Sequence, residues 1–378
     1  RVMDLNPIAW RFPFDMHERL IVAPQLMVET LARVARAAFE LAGRDLPDNE
    51  LGKFIAARDP EPAAHNIARA LTDADHGFLV VGDQALFHPQ AADLRALAAE
   101  IARLTDCALM VLPGPANSQG AWQAGLVPSE GGLSAHEALA RGLKGWLLFD
   151  LEPDFDSADP AATRAALGSA EAVVAITAFA GTDLLETADV LLPLAPMPET
   201  EGSVVNADGI RQLLKPAGRP PEGAHDGWKI LRVLGAKLSL PEFQFSVFSE
   251  IAQRLDGNEM PAAAPYQPDQ LRSAGAEALW RAGPVPIYSG DSLLRRSPAL
   301  QQTHHADNGW VAAHPSTLER RGLEDCSRVR LRQGECQLEA ELRVVDWVPP
   351  GAVWLAAATC LASRMGPAWG EIELERCE

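Results

Sequence analysis

The sequence predicts an α/β protein: a doubly wound, mostly parallel sheet through its middle, followed by a small C-terminal β-barrel domain. Three observations carry that prediction. Short apolar runs recur between residues 77 and 192, and each is followed by a segment with apolar residues at three- and four-residue steps. Parallel neighbours need crossovers, and the crossovers bury both faces of the sheet, so this alternation points to parallel strands. Near the C-terminus the pattern changes to strict period two, the mark of a half-buried antiparallel strand.

Taken in order, Arg1-Val-Met-Asp-Leu-Asn-Pro7 reads as a short strand running into a turn, as if the chain began partway through a domain. Pro24 to Leu41 reads as a helix, with Met27, Leu31, Val34, Ala38 and Leu41 on one stripe and Gly43 as its stop. Asp59-Pro-Glu-Pro62 is a breaker and a boundary. Gly77-Phe-Leu-Val-Val81 is an uninterrupted apolar run, as for a strand buried on both faces. A helix carrying Leu94, Leu97, Ala98, Ile101 and Leu104 follows, then a second such strand, Ala108-Leu-Met-Val-Leu112. The pattern repeats through a helix at Ala135–Arg141, a strand at Gly145–Phe149, a helix at Pro160–Leu167 and a strand at Ala172–Ile176. A short helix at Asp183–Thr187 leads to Val190-Leu-Leu192.

Residues 236–300 carry weaker signals and read as a connection. They include Phe243, Phe245, Phe248 and the stretch Pro261-Ala-Ala-Ala-Pro265; a polar segment runs from Arg295 to Asn308. Ser316-Thr-Leu-Glu319 matches a capping box, with Gly322 ending a helix of one or two turns. Val329–Arg332, a turn at Gln333-Gly-Glu335, the alternating run Cys336–Val344 and Ala352–Ala357 then read as strands. The expected organisation is four parts: 1–60, the end of a preceding α/β domain; 61–235, an α/β domain; 236–300, a connecting segment; and 301–378, a β-barrel-like domain.

Composition narrows the function. Acids outnumber bases by 51 to 33, a net charge of −18, which repels nucleic-acid backbones and anionic lipid alike. The longest nearly uncharged apolar stretch, Gly351–Ala362, is far short of the roughly 18–20 residues that span a bilayer. A soluble protein is expected, one that could still belong to a membrane-bound assembly. No charged-then-apolar segment follows Arg1, so no export is expected. Only five lysines occur and arginine supplies most of the positive charge, a bias associated with GC-rich bacterial genomes.

Cys107, Cys326, Cys336, Cys360 and Cys377 are dispersed, with no CxxC pair to begin a zinc or iron–sulfur site. Their odd number also speaks against a disulfide framework. His304 and His305 are adjacent, but neighbouring side chains diverge on helix and strand. No metal ligands are expected.

A doubly wound sheet binds ligands beyond the carboxyl ends of its strands, and phosphate cradles there need glycine-rich turns. Neither G-x-G-x-x-G nor G-x-x-x-x-G-K-[ST] occurs. The third strand instead ends in Asp150-Leu-Glu152-Pro153, with Asp154 and Asp156 behind it, and carboxylates there repel a phosphate. Individually they read as helix-start and turn residues. Glu201-Gly-Ser203-Val-Val205 lacks the second glycine of a nucleophile elbow. Glu199 and Glu201 lie two apart in a loop with no positioned partner. Asn117-Ser-Gln-Gly120 reads as a polar turn, with a ligand contact as the other reading. No catalytic, cofactor-binding or metal residue is therefore assigned.

One set of residues is more specific. Thr187-Ala-Asp-Val-Leu-Leu-Pro193, then Glu199-Thr-Glu-Gly202, Asn206, Gly209 and Arg211, closing on His225-Asp-Gly-Trp-Lys-Ile-Leu231, resembles the A-D-V-V-L-P … E-x-x-G-T-x-x-N-x-E-G-R … W-x-I-L pattern of the molybdopterin oxidoreductase superfamily. Gly114-Pro-Ala-Asn117-Ser-Gln-Gly120 … Gly125 resembles its N-x-x-G … G turn, and the block from His314 resembles its C-terminal double-psi-type barrel. Asp4-Leu-Asn-Pro7 and Leu20-Ile-Val-Ala-Pro24 are most similar to the 75-kDa-type (G) subunits of NADH-quinone oxidoreductase, respiratory complex I.

That resemblance implies the C-terminal part of such a subunit, a molybdoenzyme-like body holding no pterin. The parent subunit would support proton-translocating electron transfer from NADH to quinone through iron–sulfur clusters on an N-terminal region. The implied partners are other peripheral-arm subunits of complex I, on the cytoplasmic side of the bacterial inner membrane. The departures fit: Asp150-Leu-Glu152 stands where catalytic relatives tend to have Gly, Ser203 replaces Thr, Asp208 replaces Glu, and Ile210 is inserted before Arg211. The Glu199–Arg211 stretch then reads as a structural remnant, with Asn206 and Arg211 bracing neighbouring loops. The alternative is a catalytically active molybdopterin-dependent oxidoreductase of formate dehydrogenase type, against which the acidic strand end argues.

Overall fold

The computed structural model describes residues 1–112, 114–128, 131–256, 266, 271, 275, 277–303, 306 and 309–377. The expectations placed on His304, His305 and the Pro261–Pro265 stretch lie outside the described residues. The chain forms two compact units: Arg1–Leu112 with Ala264–Ser289 and Ser297–Glu378, and Pro113–Ala263 with Gly290–Arg296.

In the first unit, β1 (Met3–Asn6) pairs in parallel with β2 (Glu18–Ile21), and β3 (Phe78–Val81) in parallel with β4 (Ala108–Val111). Three helices, Met27–Ala42, Pro62–Thr72 and Ala91–Thr105, supply the core beside these strands. Met27 and Val34, of the predicted stripe, meet Leu97 and Ile101 there, joined by Phe39 and Ile67, which the sequence spacing did not single out. Leu41, the last residue of the expected stripe, instead points to solvent. Gly43 ends the first helix at φ 58°, a left-handed conformation that glycine adopts without a Cβ penalty. The expectation that β3 is covered on both faces fails: Phe78 and Val80 are 63% and 52% exposed. The helix Ala91–Thr105 packs on this pair of strands; along β3 exposed residues alternate with covered ones, while all four residues of β4 are exposed, so the expectation of a second buried strand fails there too.

His88 is buried in this unit with both ring nitrogens engaged. Nε2 donates to the Pro24 carbonyl at 3.0 Å, and Nδ1 accepts the Gln90 N–H at 3.0 Å. That pattern fixes the neutral tautomer. Burial lowers its pKa to about 4, opposed by the Pro24 carbonyl.

The second unit carries β5 (Gly145–Phe149), β6 (Ala172–Thr177) and β7 (Val190–Pro193), all parallel and in sequential order. The helices Pro160–Gly168 and Thr182–Thr187 make the crossovers, and Leu148, Val173 and Ala175 pack with Leu167 and Leu184. Parallel pairing follows the sequence reading, but the strands fall into two sheets, β3–β4 and β5–β6–β7, instead of one. The stretch after Glu199 is also no open loop. It holds the antiparallel pair β8 (Gly202–Val205) and β9 (Arg211–Leu214), turned through Gly209 at φ 78°.

The C-terminal part of the first unit is a seven-stranded sheet in the order β15-β10-β14-β11-β13-β12-β16. Its strands are β10 (Trp280–Ala282), β11 (Val311–Ala313), β12 (Arg328–Gln333), β13 (Cys336–Val344), β14 (Ala352–Trp354), β15 (Trp369–Glu371) and β16 (Glu373–Arg376). β13 keeps its predicted limits, with Leu338, Ala340 and Leu342 turned inward. The closed barrel expected here is corrected to a curled half-barrel. Its two edge strands, β15 and β16, are consecutive in the chain with only Ile372 between them. The sheet therefore curls until its edges meet through one residue. A chain turning a corner there cannot supply the hydrogen-bond ladder that closure needs. The helix before β12 is Pro315–Glu319, capped by His314 Nδ1 accepting the Ser316 N–H at 3.2 Å, so the cap lies two residues before the predicted Ser316.

Two features mark the interior of this half-barrel. Arg281 is 1% exposed and donates to the carbonyls of Leu355 (3.1 Å), Gly366 (3.2 Å) and Pro367 (3.1 Å). Trp354 meets Trp347 and Trp10 edge-on, at 5.1 Å and 6.0 Å between centroids, and stacks on Trp310 at 6.2 Å. No helix among the described residues is long and apolar enough to cross a membrane.

Candidate functional site

The place to look for chemistry in a parallel sheet is beyond the carboxyl ends of its strands. After β5 the chain turns at Asp150, whose φ of 49° is left-handed. Asp tolerates that conformation better than most residues, and glycine best of all. The Asp150 N–H donates to the Ile176 carbonyl at 2.7 Å, which ties the turn to the end of β6. Glu152 and Pro153 then begin a one-turn helix, Pro153–Asp156.

Glu152 is 2% exposed, so its carboxylate does not line an open crevice. This corrects the expectation of an acid-lined site. The segment Gly290–Arg296 of the same unit brings two guanidiniums onto it. Arg295 donates to Glu152 Oε2 through Nη2 at 2.7 Å and Nε at 3.1 Å. Arg296 Nη1 donates to the same oxygen at 2.9 Å, while its Nη2 donates to Oε1. Both guanidiniums have further supports. Arg295 lies 5.1 Å over the Phe155 ring and donates to Asp156 Oδ1 at 2.9 Å. Arg296 lies 4.4 Å over Phe179 and donates to the Ser292 carbonyl at 3.1 Å.

Burial alone would raise the Glu152 pKa; hydrogen bonds from Arg296 and Arg295 overcome it and hold the group below its ordinary value. The neighbouring acids differ. Burial raises the pKa of Asp150 against the Ala178 N–H, with Asp156, Asp291 and Glu152 adding repulsion. Burial likewise raises Asp183, with Asp154 and Glu152 adding to it. Asp154 pairs with Arg164, and Asp156 accepts the Glu152 N–H at 2.8 Å, so the turn-residue reading holds for these two.

These residues do not fit an anionic pterin cofactor. The positive groups beyond β5 and β6 are committed to Glu152 and Asp156, and Asp150 and Asp183 already resist further negative charge. Sequence reasoning missed the arginines because they lie 143 and 144 residues from Glu152. The available signal was Asp291-Ser-Leu-Leu-Arg-Arg296: Asp291 caps this turn, accepting the Leu293 N–H at 2.7 Å.

The other sequence candidates serve the framework. Asn117 Oδ1 accepts the Val205 N–H at 2.8 Å, binding the turn before helix Ser118–Gln123 to β8. A Cβ on Gly120 would stand 2.0 Å from that same oxygen, so glycine is required for the approach. Asn206 Oδ1 accepts from the N–H groups of Asp208 (3.0 Å) and Ile210 (2.9 Å). Arg211 pairs with Asp256, beyond the helix Phe248–Arg254. Arg211 thus reaches a neighbouring segment as expected, whereas Asn206 braces only its own turn. Glu199 closes the short turn Met197–Glu199, Glu201 is exposed just before β8, and Ser203 lies within that strand. Among the described residues the five cysteines are free, and no three His, Cys, Asp or Glu side chains gather as metal ligands. A cavity of about 1240 Å³ in the first unit is walled by core residues such as Met27, Val34 and Ile67, with Asp73, Asp75 and Asp83 at its polar side.

Residues 62–237 match the family described as molybdopterin oxidoreductase. The chain carries a molybdopterin oxidoreductase domain. The match spans the motifs from Gly114 to Leu231, and leaves outside it Asp4–Pro7, Leu20–Pro24 and the block from His314, on which the resemblance also rests. The G-type subunit of NADH-quinone oxidoreductase from Mycobacterium bovis is 28% identical over 280 residues, covering 69% of this chain and 32% of that protein. The corresponding G-type protein of Streptomyces coelicolor is 29% identical over 249 residues, covering 61% and 28%. The chain thus spans about a third of the length of the curated relatives it matches. Among solved structures, acetylene hydratase from Pelobacter acetylenicus superposes with a TM-score of 0.64 at 10% identity, over 99% of this chain and 74% of that one. That likeness is one of fold. Glu152, at the β5 end, lies within the matched residues, and the arginines that hold it lie outside them.

Proposed function

We propose that this chain is the C-terminal body of a G-type subunit of NADH-quinone oxidoreductase and that it acts as a structural element with no catalytic group of its own. The parent subunit supports electron transfer from NADH to quinone through iron–sulfur clusters on its N-terminal region. The partners are the other peripheral-arm subunits of complex I, at the cytoplasmic side of the bacterial inner membrane. The names of the similar proteins support the assignment. The single observation behind the non-catalytic role is the commitment of Arg295 and Arg296 to Glu152 at the strand end where a ligand would sit.

The test is purification of the full-length protein from the cells that make it, followed by metal analysis and identification of what co-purifies. The expected result is co-purification of NADH-oxidising and quinone-side subunits with iron but without stoichiometric molybdenum or tungsten. One molybdenum or tungsten per chain, with a pterin, would overturn the proposal in favour of a formate dehydrogenase-like enzyme.

A further inference from the structure

We propose that the Glu152 carboxylate is the resident ligand of a two-arginine oxyanion site, a site that takes a small carboxylate or phosphate once that side chain is removed. The inference rests on the non-catalytic reading above and deepens it, by giving the chemical class the strand end would accept.

Both arginines are held by groups other than Glu152. The Arg295 side chain is 9% exposed, and Phe155 and Asp156 position it independently of Glu152. Arg296 is positioned by Phe179 and by the Ser292 carbonyl of its own turn, which Asp291 caps. Two guanidinium forks thus converge on one carboxylate while each keeps supports elsewhere. Planar forks of this kind match carboxylate and phosphate oxygens bidentately. Truncating Glu152 to alanine removes the two oxygens and leaves the converging N–H donors of Arg295, which is 9% exposed, and Arg296, which is 36% exposed, with Asp156 still on Arg295.

The position matters as much as the charge. Glu152 follows β5, Phe179 follows β6, and the recess lies just past the ends of these two adjacent parallel strands. This is where open α/β sheets bind ligands. The chain therefore fills its ligand position with its own anion, and the segment Gly290–Arg296 is docked there by it.

The experiment compares thermal midpoints of the full chain and its Glu152→Ala variant in chloride, acetate and phosphate at equal ionic strength. In chloride the variant should melt about 5–15 °C lower, because one partner of a buried pair is gone. Acetate or phosphate should restore part of that loss saturably, on the order of millimolar, while the wild type shows no saturable response. Adding Arg296→Ala to the variant should abolish the rescue. An unchanged midpoint in Glu152→Ala, a loss that neither anion restores beyond chloride, or a rescue that survives Arg296→Ala would overturn the proposal. Should Glu152→Ala fail to accumulate folded, refolding yield in acetate against chloride decides: equal yields sink it. Missing rescue leaves the proposed function standing, whereas molybdenum and pterin in the wild-type protein defeat that function whatever the rescue shows.

Discussion

Glu152 and Arg281 are both charged side chains withdrawn almost completely from water, in different units, and they are satisfied in opposite ways. Arg281, in the half-barrel, is met by the dipoles of three main-chain carbonyls that the sheet and its following loop hold in place. Glu152 is met by formal charges carried on a short segment far along the chain. Carbonyls do not titrate and are little screened by salt, so these three contacts of Arg281 do not depend on pH. The Glu152 cluster depends on protonation state: its folded pKa lies below the unfolded value, so its contribution is present above about pH 4.5 and is lost as pH falls through the folded value.

The comparison can be broken most forcefully at Arg281. Arg281→Ala leaves three buried carbonyls without their donor and should cost about 4 kcal/mol, read as a fall in the denaturant midpoint that added salt does not change. A salt-dependent loss would mean that the guanidinium answers mainly to formal charge. In the same unit as Arg281, His88 does respond to pH. Its folded pKa of about 4 lies below the unfolded 6.5, so stability is complete above pH 6.5 and declines as pH falls towards 4. The full decline is about 3 kcal/mol, and urea titrations between pH 7 and 5 should show the larger part of it before Glu152 titrates. His88→Gln should flatten that window; an unchanged slope would remove His88 as the cause. Asn117→Ala should cost about 1–2 kcal/mol by stranding the Val205 N–H, visible as faster hydrogen exchange at that amide. Smallest is Ser134→Ala, which opens the capping box with Glu137 on an exposed helix and should cost about 1 kcal/mol.

How much of this was legible in the sequence depends on how local the cause is. β13 was readable to the residue, because its alternation and the Gly334 turn are encoded within a dozen positions. The helix Met27–Ala42 and its Gly43 stop were readable for the same reason. The β8–β9 pair was missed because its four-residue strands carry no alternation strong enough to stand out, and its turn is set by Asn206 hydrogen bonds that spacing alone does not announce. The covering of β3 was misjudged, since an apolar run says that a strand can be buried but not what packs on it. At the strand end the acids were visible and their counter-ions were not. Charge pairing across more than a hundred residues leaves no mark in either sequence segment, and the family resemblance concerned motifs that do not include Arg295 or Arg296.

Trp354 and the three indoles around it have an optical consequence. Transition dipoles held this close, in a fixed mixture of edge-on and stacked pairs, couple to one another and give a near-ultraviolet circular dichroism band that isolated tryptophans lack. Trp122, Trp146 and Trp228 all belong to the other unit. The coupled band therefore follows the first unit, and its disappearance can be timed against the unfolding of the β5–β6–β7 sheet in the same cuvette.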